Sequence, residues 1–201
     1  MLNFGSRPSS RHSNCGRGQA LVEFALVIPI FLLALVALIE FAFLFNAMLS
    51  VGNASRNAAV VAAEAADSPT ADCSILHSIE SDFVGPTLAN QIQKVDIYWT
   101  DANGVQKSGA ISTYTRDSSG SMSCVVDGVT FSVPYTQTAS GYPPSDRCSV
   151  RLGCGGNHPG LDTIGVEITY QYSYKTPYGA VLGGSGMTMQ RSAEMRVEPF
   201  Q

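Results

Sequence analysis

Charge is scarce in this chain: Asp, Glu, Lys and Arg make up only 14% of its 201 residues. An ordinary soluble domain carries about a quarter. No sign dominates strongly either, since the formal net charge is −4. The basic field expected of a nucleic-acid binder is therefore missing, and no nucleic-acid partner is expected. There is one tryptophan and only three histidines. Nucleophile elbow, phosphate-binding loop, HExxH and EF-hand patterns do not occur, so the sequence gives no reason to expect an enzyme or a cofactor. Disorder is excluded from the other side, because 45% of residues are apolar and mean hydropathy is +0.10, whereas disordered chains combine low hydrophobicity with high net charge.

The apolar residues are concentrated in one place. Ala20 to Leu49 is interrupted only by Glu23, Pro29, Glu40 and Asn46. Phe24 to Leu49 as a helix would be about 39 Å long, more than the roughly 30 Å hydrocarbon core of a bilayer. A buried helix of so small a soluble domain needs no such run, so a transmembrane helix is expected. Arg7, Arg11 and Arg17 precede it, whereas Glu64, Asp67 and Asp72 follow Arg56. The positive-inside bias then puts the N-terminus in the cytoplasm and everything after about residue 50 outside. A cleaved secretory signal is the alternative, but its apolar region is typically about 7–15 residues, far shorter than this one.

A carboxylate in hydrocarbon costs several kcal/mol, so Glu23 and Glu40 need partners or water. For each, one reading is an interfacial side chain that snorkels to the headgroups; for Glu40 that reading is preferred to a specific partner. Glu23 has a second reading. It is the fifth residue after Gly18, and a cut there would leave a new terminal amine on Gln19 able to neutralise the carboxylate of a packed neighbour.

The stretch Arg17-Gly18-Gln19-Ala20-Leu21-Val22-Glu23-Phe24-Ala25-Leu26-Val27-Ile28-Pro29 resembles a type IV prepilin cleavage signal, and more narrowly the opening of TadE-like proteins. These are minor pilins or pseudopilins of the tight-adherence (Tad, type IVc) pilus. Asn53-Ala54-Ser55-Arg56-Asn57-Ala58-Ala59 resembles the family's continuation, and Arg191 to Glu198 its end. The resemblance implies a prepilin peptidase that cuts after Gly18, a mature N-terminus at Gln19 and Glu23 as the pilin glutamate. It further implies a helix that packs on other subunits through Glu23, Phe24, Pro29 and Glu40. The implied partners are that peptidase, other Tad pilins or pseudopilins, the assembly platform and the membrane.

Beyond the membrane the chain stays rich in alanine, the best helix former, so the span is expected to continue as a stalk to about Asp67, with Gly52 its weakest point and Ser68-Pro69 its stop. Ile75, Ile79 and Phe83 recur every four residues and predict a helix over 71–84, ended by Gly85-Pro86. A further turn or two is expected over 87–93. Period-two alternation then predicts strands at Val95-Ile97-Trp99, at Cys124 to Val133 around an Asp127-Gly128 turn, at Ile164 to Tyr174, and at Met187 to Val197. Asp101 to Gly104 reads as a turn. Thr136 to Gly160 reads as irregular loop, and Ser118 to Ser121 as a solvated turn.

Five cysteines divide into one and four. Cys15 falls in the leader and reads as incidental. Cys73, Cys124, Cys148 and Cys154 fall outside, where disulfides persist; of three possible connectivities, Cys73–Cys124 with Cys148–Cys154 is preferred because the second closes a short loop. A zinc site is disfavoured because no pair has the usual two-to-four-residue spacing, and no metal is expected. His12 leaves with the leader, while His77 and His158 read as structural. Trp99 reads as sheet packing.

The expected architecture is α+β: a cytoplasmic leader over 1–18, a transmembrane and stalk helix over 19–67, and an extracytoplasmic domain over 68–201 with a small antiparallel sheet. That layout is also what a pilin-like resemblance implies. The expected function is a minor pilin or pseudopilin in Tad pilus assembly and surface adhesion, single-pass in the cytoplasmic membrane or incorporated in a surface pilus. The competing function is a membrane-anchored protein whose outer domain binds a ligand or glycan.

Overall fold

The computed structural model describes residues 16–83, 87–101, 103–117, 122–126, 128–149, 154, 158, 160–177, 179 and 184–197. Residues 1–15, with His12 and Cys15 of the expected leader, lie outside them, as do Gly85-Pro86, Ser118 to Ser121 and Asp127. Residues 1–39 and 40–201 form two units, each taken by itself below.

Helix α1 runs Gly16–Ala65 with Pro29 inside it. Over residues 18–39 it is apolar on every face and exposed on nearly every face. From Glu40 onward the helix becomes one-sided. Ala47, Val51, Ala54, Ala58 and Ala62 are buried, a helical stripe of spacing three and four. Such short side chains let the helix backbone come close to a sheet, and Ser55 Oγ donates to the backbone carbonyl of Val166 at 3.3 Å. Gly52 does not break the helix, since residues on both sides of it remain helical. The end comes at Ala65 rather than Asp67: Ala66 takes a left-handed φ of 36°, a conformation costing about 1–2 kcal/mol for a residue with a Cβ. Its N–H still reaches Ala62 O at 2.9 Å, and Ser68 N–H satisfies Ala65 O at 2.8 Å, before Pro69 prevents continuation.

Helix α2 (Ala71–Asp82) buries Ile75, Leu76 and Ile79, the face its period predicts. A single 3-10 turn, Ala89–Gln91, follows. The strands are β1 (Ile92–Thr100), β2 (Gln106–Arg116), β3 (Met122–Val126), β4 (Val129–Val133), β5 (Tyr135–Ser140), β6 (Thr163–Ser173) and β7 (Gly186–Arg196). Five of them make one antiparallel sheet in the order β5-β2-β1-β6-β7, and β3 with β4 makes a separate hairpin. Gly128 in that hairpin's turn has a φ of 78°, open to glycine without steric cost.

Val95, Ile97, Ile164, Val166, Ile168 and Tyr170 form the centre of a core shared with the alanine stripe of α1 and with α2. Gly165 lies opposite Tyr98 across the β1–β6 ladder. A Cβ at Gly165 would come within 2.3 Å of the Tyr98 ring, so a close approach of ring to backbone requires glycine there.

Strands β2 and β5 differ from expectation. Residues 106–116 carry no clear alternation, and Tyr135–Ser140 overlaps the stretch read as loop. Both are polar, and only Ser112, Tyr114 and Tyr135 among them are buried. Their strand conformation comes from pairing, β2 with β1 and β5 with β2, rather than from an apolar face. Cys73 and Cys124 are joined, Cα to Cα 6.0 Å, tying α2 to β3. Cys148 and Cys154 are joined at 5.0 Å.

Candidate functional site

In the N-terminal unit the residues expected to matter sit on one exposed helix. Gly18 has no non-neighbouring atom within 4 Å of where a Cβ would sit. The Gln19 side-chain amide donates to Glu23 Oε1 at 3.2 Å, one helical turn away. Glu23 is itself exposed, and Leu21, Val22, Phe24, Leu26 and Val27 around it all expose more than half of their surface. Among the described residues the carboxylate therefore has one neutral donor, and no cation on its own turn. The helix is long and apolar enough to cross a membrane, and none of its most apolar stretch is buried among the described residues. In water this surface would be strongly unfavourable, at about 25 cal/mol per Å² of apolar area. Lipid or other helices can cover it.

Glu40 behaves differently from expectation. It is only 4% exposed, and it does not snorkel. The Tyr172 hydroxyl donates to Oε1. The backbone N–H of Lys175 reaches both carboxylate oxygens at 3.1 Å. Thr176 donates to Oε2 twice, from its backbone N–H at 2.7 Å and its hydroxyl at 2.6 Å. Four donors from the end of β6 and the loop after it thus converge on one side chain of α1. Because a carboxylate is acceptor-only and holds about four lone-pair sites, this clasp saturates it. Glu40 is therefore occupied within its own chain, which is a correction to its reading as a side chain that snorkels to the headgroups. The alternating strand signal located Tyr172, but nothing in a linear pattern pairs residue 40 with residues 172–176.

A second polar cluster went unforeseen as a unit. Arg147, 2% exposed, forms an ion pair with Asp72 and donates to Ala66 O at 3.3 Å and Tyr142 O at 3.4 Å. Its Nε has no partner among the described residues. The Tyr114 hydroxyl donates to Asp72 Oδ2 at 2.6 Å. Nearby, Asp162 accepts from the Tyr142 hydroxyl at 2.6 Å and from Cys148 N–H at 2.8 Å, and it pairs with His158 Nδ1 at 2.6 Å. Burial, and then the carboxylates they donate to, push the Tyr114 and Tyr142 phenols well above their ordinary range. Burial and Glu80 do the same to Tyr135.

His158 also stacks on Trp99 with ring centroids 4.3 Å apart, while Lys107 Nζ lies 3.8 Å from the same indole. His77 stacks on Phe131 at 4.2 Å. Both histidines are thereby engaged in packing. A cavity of about 380 Å³ beside Trp99 is lined by Asp101, Lys107, Asp162 and Arg196 among others; its charges are mixed and specify no ligand. Among the described residues, no three His, Cys, Asp or Glu side chains are grouped so as to hold a metal.

Comparison with known proteins bears on α1. Residues 18–60 match the model of a family described as TadE-like protein. The matched stretch begins at Gly18, includes Glu23 and Glu40, and stops inside α1 before the sheet. No curated protein and no solved structure matches the chain.

Proposed function

From a chain that is TadE-like over residues 18–60, and so of the kind found in Tad pilus systems, we propose a minor pilin or pseudopilin. It is a membrane-anchored subunit that enters or primes a Tad pilus after a prepilin peptidase removes residues 1–18. The observation that carries this reading is the apolar helix after Gly18: it bears one exposed carboxylate five residues in and is itself exposed among the described residues.

The chemistry follows from that arrangement. A carboxylate surrounded by exposed Leu, Val and Phe side chains is costly once water is removed. Cleavage after Gly18 frees an ammonium on Gln19. In a bundle of such helices, staggered so that one Glu23 meets the terminal amine of a neighbour, the pair neutralises both charges. The apolar faces meanwhile pack on each other. The work is structural, so no catalytic group is required. The folded unit would sit outside the cytoplasmic membrane, where its cysteine pairs remain oxidised, and would supply the surface for adhesion or for contact with other subunits.

The test is to sequence the N-terminus of the protein isolated from its own host. A mature chain beginning at Gln19, and accumulation of the full-length precursor in Gly18→Ala, is the expected outcome. Recovery of wild-type protein with the leader intact, in cells that assemble the pilus, would overturn the reading.

A further inference from the structure

The apolar run and the Glu40 clasp disagree about where the membrane ends. By composition the run continues to Leu49, with Phe41, Phe45 and Leu49 each more than half exposed. Yet the clasp brings the backbone N–H groups of Lys175 and Thr176, on irregular chain, onto the side chain of residue 40. Irregular backbone cannot be lipid-exposed at hydrocarbon depth, because its remaining polar groups would lack partners. Lys175 itself is exposed, and an ammonium there belongs in water or among headgroups.

Length agrees with the clasp. Ala20 to Ile39 is twenty helical residues, or about 30 Å, which is one hydrocarbon core. Leu49 lies nine residues beyond Glu40, about 13 Å along the axis, outside a headgroup layer about 5–8 Å deep.

We propose that the Glu40 clasp seats the folded unit on the bilayer surface: hydrocarbon ends at Ile39, and Phe45 and Leu49 stand beyond it. Glu40 is thus a positioning residue that sets how far the chain sinks. The inference rests on the membrane-spanning part of the function proposed above and is independent of cleavage after Gly18.

The test uses the purified full-length chain in phosphatidylcholine vesicles, in a Cys15→Ser background that leaves both cysteine pairs intact. Single variants Leu35→Cys, Leu38→Cys, Phe45→Cys and Leu49→Cys carry an environment-sensitive fluorophore, and lipids brominated on their acyl chains act as quencher. Quenching at 35 and 38 with its loss at 45 and 49 is expected. Quenching at all four sites overturns the boundary while leaving the span; quenching at none overturns the membrane reading itself. Adding Glu40→Ala should extend quenching to 45, because the loop after β6 then loses its hydrogen bonds to the helix. An unchanged pattern, in protein with native circular dichroism, overturns the role of the clasp. Tyr172→Phe with Thr176→Val repeats the test should Glu40→Ala fail to fold.

Discussion

Replacing Asp72 by alanine tests the logic of the buried cluster most directly. Asp72 accepts from the Arg147 guanidinium and from the Tyr114 hydroxyl, and all three side chains are buried. Truncation leaves Arg147 with two backbone carbonyls at 3.3 and 3.4 Å and Tyr114 with no acceptor. Removing one partner of a buried ion pair costs about 3–5 kcal/mol, because the other charge stays buried. An orphaned buried hydroxyl costs about 1–3 kcal/mol, part of it already counted in that range. Against a total stability of about 5–15 kcal/mol, the loss is large. For a unit of this size each kcal/mol moves Tm by about 2–4 °C, so a fall of about 6–20 °C is expected. The assay is thermal unfolding of the full chain in detergent, followed by far- and near-UV circular dichroism. Asp72→Leu combined with Arg147→Met removes both charges together and should be less damaging than Asp72→Ala alone, since a buried ion pair replaced whole is often nearly neutral. A Tm for Asp72→Ala within about 2 °C of wild type would refute the reasoning, as that shift corresponds to about 0.5–1 kcal/mol, no more than an exposed pair is worth.

Two further predictions follow from burial. Tyr114, Tyr135 and Tyr142 are held protonated in the folded chain by burial and by Asp72, Glu80 and Asp162, whereas in the unfolded chain they ionise near pH 10. The unfolded state therefore binds fewer protons above that pH, and stability falls as pH rises. Phenolate absorbance from these three should appear only together with loss of near-UV circular dichroism; their ordinary titration in a folded chain would contradict the pairing. Gly165→Ala places a methyl group against the Tyr98 ring and should cost about 1–3 kcal/mol by overpacking. Urea unfolding measures this, and Tyr98→Ala in the same chain should relieve part of it.

What a linear pattern can carry is periodicity and local stereochemistry. The apolar run, the spacing of Ile75 and Ile79, the alternation over 164–174 and the stop at Ser68-Pro69 are properties of neighbours in sequence. Helix α1, helix α2, β1, β6 and β7 were legible for that reason. Strands β2 and β5 were not, because their side chains are mostly polar and their hydrogen bonds are supplied by strands elsewhere in the chain. The cysteine pairing had three solutions on paper. The packing of α2 beside the β3–β4 hairpin chose Cys73 with Cys124.

The two glutamates divide the same way. Gly18 and Glu23 are five residues apart on one helix, and their interest is complete in the sequence; the fold adds only that both are exposed among the described residues. Glu40 stands in an equally apolar setting, yet its fate depends on Tyr172, Lys175 and Thr176, more than 130 residues away. Composition determined that this chain has a long apolar N-terminal helix and an α+β domain. Only tertiary structure decided which acid is spent inside the fold, because hydrogen bonds form between atoms close in space and sequence spacing does not record that distance.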